Sequence, residues 1–122
     1  MNKFVTYNFL IRFSLGLIFL ANSLIAFFAP SEFIELINNS FIANLLPIRP
    51  ETFVPLVIGL NDGIVALFLF FGIATRRVGT WAFIWLIGVM VVIASPLNVL
   101  EHTGLLFMAL ALVLNNNQKE LI

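Results

Sequence analysis

The sequence predicts an all-α membrane protein, a bundle of four transmembrane helices with an amphipathic surface helix between the first and the second. Of its 122 residues, 61% are hydrophobic and only 10% are charged. An ordinary soluble domain is about half apolar and about a quarter charged. Twelve charged side chains cannot keep the surface of a soluble monomer of this length wetted, so we exclude that class. The length fits one domain over residues 1–122.

Four helices are predicted to cross the bilayer, over residues 6–28, 53–75, 78–96 and 100–116. The first and third rest on the uncharged runs Phe13–Ser31 and Val78–Leu100, which meet the roughly 20 residues that a helix needs to cross hydrocarbon. The second run, Thr52–Thr75, is interrupted only by Asp62. The fourth rests on the shorter uncharged run Thr103–Gln118.

Between the first two spans, residues 31–46 have a different pattern. Ser31 can cap a helix whose first turn carries Glu32 and Glu35, as the helix dipole prefers. Apolar side chains then recur at intervals of four, at Phe33, Ile37, Phe41 and Leu45. This pattern predicts an amphipathic helix along the membrane surface, and a helical lid packed on the bundle fits it equally well.

The basic residues set the orientation. Lys3, Arg12, Arg76, Arg77 and Lys119 fall on one side of the four-span arrangement, and only Arg49 falls on the other. Because cytoplasmic flanks carry the excess of basic residues, we expect a protein of the cytoplasmic (inner) membrane with both termini in the cytoplasm. We expect the first run to remain as a span, because no signal-peptidase cleavage pattern precedes Pro30.

Charge and cysteine usage exclude several classes of function. Six basic and six acidic residues cancel, so the chain has no basic field for nucleic acid. With no cysteine it offers no disulfide, thiolate nucleophile or cysteine-ligated iron–sulfur cluster. The single histidine, His102, excludes a multi-histidine metal centre within one chain. Redox chemistry would therefore need a cofactor or a partner protein.

Ionisable side chains in hydrocarbon are costly unless they are paired or face an internal cavity. The candidates are Arg12, Asp62 and the neighbouring pair Glu101 and His102, with Asn61 as an amide donor beside Asp62. Asp62 lies between Arg12 and His102 in depth, which suggests a ladder of the three lining the interior. Alternatively, Arg12 reaches the cytoplasmic headgroups and His102 lies in the outer interface. Asp62 is the candidate proton acceptor, or hydrogen-bond partner of a ligand carbonyl or hydroxyl.

Small and polar residues form one face on each of the first two spans. The first face comprises Asn8, Arg12, Gly16 and Ser23, and the second comprises Gly59, Asp62 and Ala66. We expect the two faces to meet, because small residues let helix backbones approach closely in membranes. Trp81 and Trp85 lie one helical turn apart after Arg77 and are interpreted as interfacial anchors.

Three segments of the chain form a recognisable series: Arg12-Phe-Ser-Leu-Gly-Leu-Ile-Phe, then Asp62-Gly followed by Leu69 and Gly72-Ile-Ala-Thr-Arg76, and finally His102-Thr-Gly-Leu-Leu with Ala109 and Leu110 after it. In their order and spacing these segments resemble the DoxX-like family of small four-helix membrane proteins, and the resemblance covers nearly the whole chain. It implies a role beside quinone-linked oxidation, since relatives include the small subunit of a thiosulfate:quinone oxidoreductase. The family usually has Glu where this chain has Asp62, and often Lys where it has Asn22-Ser23.

Three functions follow as hypotheses. The first is a membrane subunit accessory to a quinone-linked oxidoreductase, in which a redox partner protein docks and Asp62 and His102 exchange the protons of a quinone. The second is a non-enzymatic scaffold or assembly factor, alone or as a homo-oligomer, in which an Arg12–Asp62 contact only fixes helix packing. The third is a carrier for a small solute or protons. We do not expect catalysis by this chain alone.

Overall fold

A computed structural model describes the backbone of residues 3–93 and 96–114 and the side chains of residues 6–92 and 100–114. Within these ranges all regular secondary structure is helical. Three of the helices are long and apolar enough to cross a membrane: Thr6–Phe28, Pro50–Phe71 and Thr75–Val92. A shorter apolar helical segment covers Leu100–Leu114. The predicted all-helical class is confirmed, and the three long apolar helices are compatible with a membrane protein.

Five helices make up the described chain: α1 (Lys3–Phe28), α2 (Ser31–Asn38), α3 (Pro50–Phe71, with a π-helical turn inside it), α4 (Thr75–Ile93) and α5 (Pro96–Leu114). The most extensive packing joins α1 to α3 and α4 to α5. All four long helices contribute to one apolar core, whose fully buried side chains include Leu15, Phe19, Leu69 and Leu112. The α2 helix packs against the beginning of α3 and against α4. It therefore covers one end of the bundle.

Close approach of α1 and α3 depends on small residues. A Cβ atom built at Gly16 would lie 2.7 Å from the Phe70 ring, and one at Gly63 would lie 3.0 Å from the Ser23 hydroxyl. That hydroxyl donates a buried hydrogen bond of 2.7 Å to the carbonyl of Gly59. Contacting positions rise along α1 as they fall along α3, so the two helices are antiparallel. The predicted meeting of the two small-residue faces is confirmed at Ser23 and Gly59.

The α3 helix starts and stops at residues that suit helix ends. Pro50 occupies the first turn, where its missing N–H costs no hydrogen bond, so α3 begins three residues before the predicted position 53. Val54–Gly59 forms a π-helical turn that contains Pro55. Its wider geometry accommodates a proline ring, which in an α-helix would clash with the carbonyl four residues earlier. Gly72 then takes a left-handed conformation with φ 68° and ends α3 at Phe71, four residues before the predicted position 75.

The segment after α1 differs from the predicted continuous helix over residues 31–46. The α-helix ends at Asn38, and a short 3₁₀ helix follows over Phe41–Asn44. At the break, the Ser40 hydroxyl donates a hydrogen bond of 2.7 Å to the carbonyl of Ile37. A serine side chain that bonds nearby backbone competes with helix continuation.

The cap and the apolar stripe of this segment also depart from the prediction. Pro30 occupies the N-cap position without a side-chain hydrogen bond, so Ser31 is the first helical residue rather than the cap. Ile37 is buried, whereas Phe41 is 60% and Leu45 is 72% exposed. The apolar stripe therefore packs against the protein only as far as the α-helix extends.

The remaining helices begin a few residues before their predicted starts. Lys3 begins α1, Thr75 begins α4 and Pro96 begins α5, compared with predicted positions 6, 78 and 100. A helix can begin before the apolar run that defines a span, because its first turn also accepts a charged residue such as Lys3 or a proline such as Pro96. The predicted end of the third span, residue 96, directly follows residues 94–95, which lie outside the described residues. The predicted end of the fourth span, residue 116, itself lies outside the described residues.

Candidate functional site

A cavity of about 580 Å³ lies between the helices and receives side chains from all five of them. Its polar lining consists of Asn22, Glu32, Asp62, Glu101 and His102, and the indoles of Trp81 and Trp85 also face it. Most of the other lining side chains are apolar. Ligand sites of small molecules have this size and this mixture of apolar walls with a few polar groups. The structure therefore brings the predicted candidates Asp62, Glu101 and His102 to one cavity.

Asp62 is the most deeply buried acid of this cavity, with only 3% of its surface exposed. Its Oδ1 accepts a hydrogen bond of 3.0 Å from the Asn61 amide nitrogen. The Asn61 amide oxygen accepts a hydrogen bond of 2.7 Å from the indole nitrogen of Trp81. An indole N–H can only donate, so it turns the Asn61 oxygen toward α4 and the amide N–H₂ toward Asp62. This chain of hydrogen bonds joins α3 to α4 and fixes the carboxyl group at the cavity wall.

The antiparallel packing of α1 and α3 determines which α1 residues lie beside Asp62. Ser23 donates a hydrogen bond to Gly59 and packs against Gly63, and these two glycines lie on either side of Asp62 in the sequence, one helical turn apart. Asn22, next to Ser23, lines the cavity. The π-helical turn ends at Gly59, directly before the turn of α3 that carries Asp62. Helix packing thus presents Asp62 and Asn22 to the same space.

Arg12 lies elsewhere, and the predicted Arg12–Asp62 contact is not formed. Its guanidinium approaches Gly72, where a Cβ atom would lie 3.0 Å from Nη1. Gly72 follows Asp62 by ten residues, a distance of about 15 Å along a helix. The carboxyl-terminal end of α3 carries partial negative charge and favours a cation there. The side chain also lies over the Phe9 ring, 5.5 Å from its centroid.

A second group of buried polar atoms lies at this end of the bundle. Asn8 Oδ1, Arg12 Nε and Thr75 Oγ1 are buried without a hydrogen-bond partner among the described residues. Asn8 and Arg12 are one turn apart on α1, and Thr75 begins α4 just after Gly72. The ladder predicted through the bundle is therefore divided: Asp62 and His102 share the cavity, and Arg12 belongs to the opposite end.

Four of the polar and indole side chains that line the cavity are not among the predicted site residues: Asn22, Glu32, Trp81 and Trp85. Glu32 was assigned to the helix dipole of α2, and Trp81 and Trp85 were interpreted as interfacial anchors. Their place at the cavity follows from how α2 and α4 pack, which the sequence pattern does not contain. Asn22 could have been found, because a polar side chain within a span calls for an interior partner just as Asp62 does.

No three acidic, histidine or cysteine side chains in the described ranges lie close enough to hold a metal ion. Comparison of the chain with protein-family models, with curated proteins and with solved structures gave no match.

Proposed function

We propose that the chain is a small integral protein of the cytoplasmic membrane with four spans, α1, α3, α4 and α5. The α5 helix, the fourth of these spans, has 19 residues, which at 1.5 Å per residue gives a length of roughly 28 Å, close to the thickness of the hydrocarbon layer. Arg76 and Arg77 lie at the turn between α3 and α4, the same end as the start of α1. The excess of basic residues supports a cytoplasmic location for that end and for both termini. The α2 helix then lies at the outer surface.

The absence of cysteine makes this topology directly testable. Asn39→Cys lies in the turn after α2, and Arg76→Cys lies in the first turn of α4, where the side chain is exposed. In intact cells a membrane-impermeant maleimide should label the first variant and not the second, and both should react after the membrane is permeabilised. If Arg76→Cys alone were labelled in intact cells, the orientation would be the opposite of the one proposed.

We propose that the protein serves a quinone-linked oxidoreductase system as an accessory subunit and holds the quinone in the cavity. The observation that supports this is the buried carboxyl of Asp62 on the wall of a largely apolar cavity of about 580 Å³. Apolar walls suit the tail of a quinone, and a carboxyl group and an imidazole suit its oxygen atoms. The resemblance to the DoxX-like family implies the same class of ligand.

In this proposal the chain supplies binding and proton transfer only. Electrons for reducing the quinone come from a redox partner protein, and protons reach the quinone oxygens through Asp62 and His102. Each oxygen that gains a proton becomes a hydroxyl of the quinol. Both groups line the same cavity, so each is available to a quinone bound there.

Tryptophan fluorescence tests the binding step. Trp81 and Trp85 are the only tryptophans of the chain, and both line the cavity. Decylubiquinone added to the protein in lipid nanodiscs should quench their emission saturably, whereas decanol should not. Asp62→Leu should weaken this quenching, because leucine offers the quinone oxygen no hydrogen bond, whereas Asp62→Asn keeps a hydrogen-bonding side chain and removes only proton transfer. Glu51→Gln, on the same helix and outside the cavity, is the matched control and should bind as the unchanged protein does.

A scaffold role is the second candidate, supported by the hydrogen bonds that tie Asp62 and Asn61 to Trp81 and Ser23 to Gly59. Unsaturable quenching that Asp62→Leu leaves unchanged, together with a lower yield of folded Asp62→Leu protein, would favour the scaffold over quinone binding. Uptake of solute or protons by reconstituted vesicles, abolished in Asp62→Asn, would instead identify a carrier.

A further inference from the structure

A second groove, of about 450 Å³, runs along the outside of the bundle between α3 and α4. One face of α3 and one face of α4 line it, because residues three or four apart project on the same side of a helix. These two helices pack less extensively on each other than on α1 and α5, which leaves the groove open. Both helices are candidate membrane spans, so the groove faces lipid in the proposed membrane topology.

The groove is apolar along its length and charged at one end. Ile64 and Phe68 of α3 and Val78 of α4 form its walls, and Ile73 closes the end near the turn. Arg77 lines the same end and is exposed. From Phe68 to Asn61 the groove follows α3 for about 10 Å into the depth of the span. This shape combines a cationic entrance with an apolar channel.

No acidic residue is among the side chains that line the groove. No Asp or Glu occurs between Gly63 and Leu100 in the sequence. Arg77 is in the first turn of α4, where unpaired backbone N–H groups add partial positive charge. The entrance therefore attracts an anion, and the apolar channel behind it requires that the anion carry an apolar chain.

We propose that this groove binds one acyl chain of an anionic phospholipid whose headgroup phosphate pairs with Arg77. Arginine suits this role because its planar guanidinium presents several donors to phosphate oxygens. Under the proposed orientation the entrance faces the cytoplasmic leaflet, which carries the anionic lipids of many membranes. The acyl chain then lies against Phe68, Ile64 and finally the indole of Trp81 at the deep end.

Trp81 provides a built-in reporter of the bound chain. In the Trp85→Phe variant it is the single tryptophan, so its emission reports on the groove. This variant is reconstituted into phosphatidylcholine vesicles that contain a small fraction of lipid with brominated acyl chains, either phosphatidylglycerol or phosphatidylcholine. Bromine quenches indole emission on contact. Brominated phosphatidylglycerol should bind at the site about fivefold more tightly than brominated phosphatidylcholine, the ratio expected from one arginine beside an anionic headgroup.

Two arginine variants, made in the same background, decide whether the site is specific. Arg77→Gln should abolish the preference for brominated phosphatidylglycerol. Arg76→Gln removes an equal charge from the adjacent position, which does not line the groove, and should keep most of the preference. Arg77→Lys should retain an intermediate preference. Circular dichroism confirms that each variant is folded.

Three outcomes would overturn the proposal. Equal quenching by the two brominated lipids in the Trp85→Phe protein would show that the groove does not select anionic lipid. Equal loss of preference in Arg76→Gln and Arg77→Gln would indicate a diffuse field of positive charge rather than a site. The same preference in the Trp81→Phe variant, in which Trp85 is the single tryptophan outside this groove, would place the lipid elsewhere.

Discussion

Replacing Trp81 by phenylalanine tests the hydrogen bonds that hold Asp62 in place. The change keeps an aromatic ring and removes the N–H that donates to Asn61 at 2.7 Å. Asn61 then loses the partner that orients its amide toward Asp62. Double-mutant cycles of hydrogen bonds in a membrane protein average about 0.6 kcal/mol and reach about 1.7 kcal/mol. We expect Trp81→Phe to lower the free energy of unfolding by an amount in this range, in addition to the smaller ring's loss of packing.

Trp85→Phe is the matched control, because it makes the same substitution one turn away on the same cavity wall. The two indoles lie 6.2 Å apart between ring centroids, but Trp81 is 47% exposed, whereas Trp85 is more buried and packs against the core. Unfolding of both variants in mixed detergent micelles, followed by circular dichroism, gives the cost of replacing the indole at each position. Because Trp85 has more packing to lose, a loss in Trp81→Phe as large as that in Trp85→Phe would indicate a contribution from the hydrogen bond to Asn61.

A double-mutant cycle separates the hydrogen bond from packing. Asn61→Leu and Trp81→Phe each break the same bond, so their combined effect should be smaller than the sum of the single effects by roughly 0.6–1.7 kcal/mol. Additive effects in this cycle would show that the bond contributes nothing measurable. Asp62 would then be held by packing alone.

Further predictions concern the close packing of the bundle, and unfolding in detergent micelles measures each of them. Gly72→Ala should lower the free energy of unfolding by about 1–2 kcal/mol, because a left-handed conformation places Cβ against the backbone and here also against Arg12. Gly104→Ala is its control: nothing lies within 4 Å of the added methyl group, and a helical alanine should leave stability unchanged or raise it by up to about 1 kcal/mol. Ser23→Ala removes the buried bond to Gly59 and should cost roughly 0.6–1.7 kcal/mol, whereas Ser23→Cys should recover the packing without the full hydrogen bond. A loss in Gly104→Ala as large as that in Gly72→Ala, or none in Ser23→Ala, would contradict these assignments.

Composition and long apolar runs predict the helical class, because an uncharged run of about 20 residues can be recognised from residue type alone and is long enough to cross a membrane as a helix. The small-residue faces of α1 and α3 were predictable for the same reason, since small side chains at helical spacing permit close contact whatever the neighbouring sequence. Helix ends were less predictable. Pro50 and Gly72 set the bounds of α3 through backbone geometry, which a hydropathy argument does not consider.

The candidate site was predicted in part. Asp62 and His102 were selected because an ionisable group within or beside a span needs a partner, and both line the cavity. The same argument selects Arg12, but its guanidinium lies beside Gly72, which is about 15 Å from Asp62 along α3. Depth along α1 follows from the sequence, whereas the packing register of the two helices does not. Glu32 joins the cavity through the fold of α2 over the bundle end, a tertiary effect that local pattern does not encode.

The π-helical turn at Val54–Gly59 has a consequence for how the length of this chain can vary. Such a turn holds an extra residue relative to an α-helix, and its hydrogen bonds span five residues instead of four. Deleting Pro55 would remove this extra residue, return α3 to regular winding and leave the helical segments on both sides of the turn in nearly their present orientation. Asp62 and everything after it would keep their register against α1. A homologue shorter by one residue at this turn could therefore preserve the same cavity wall.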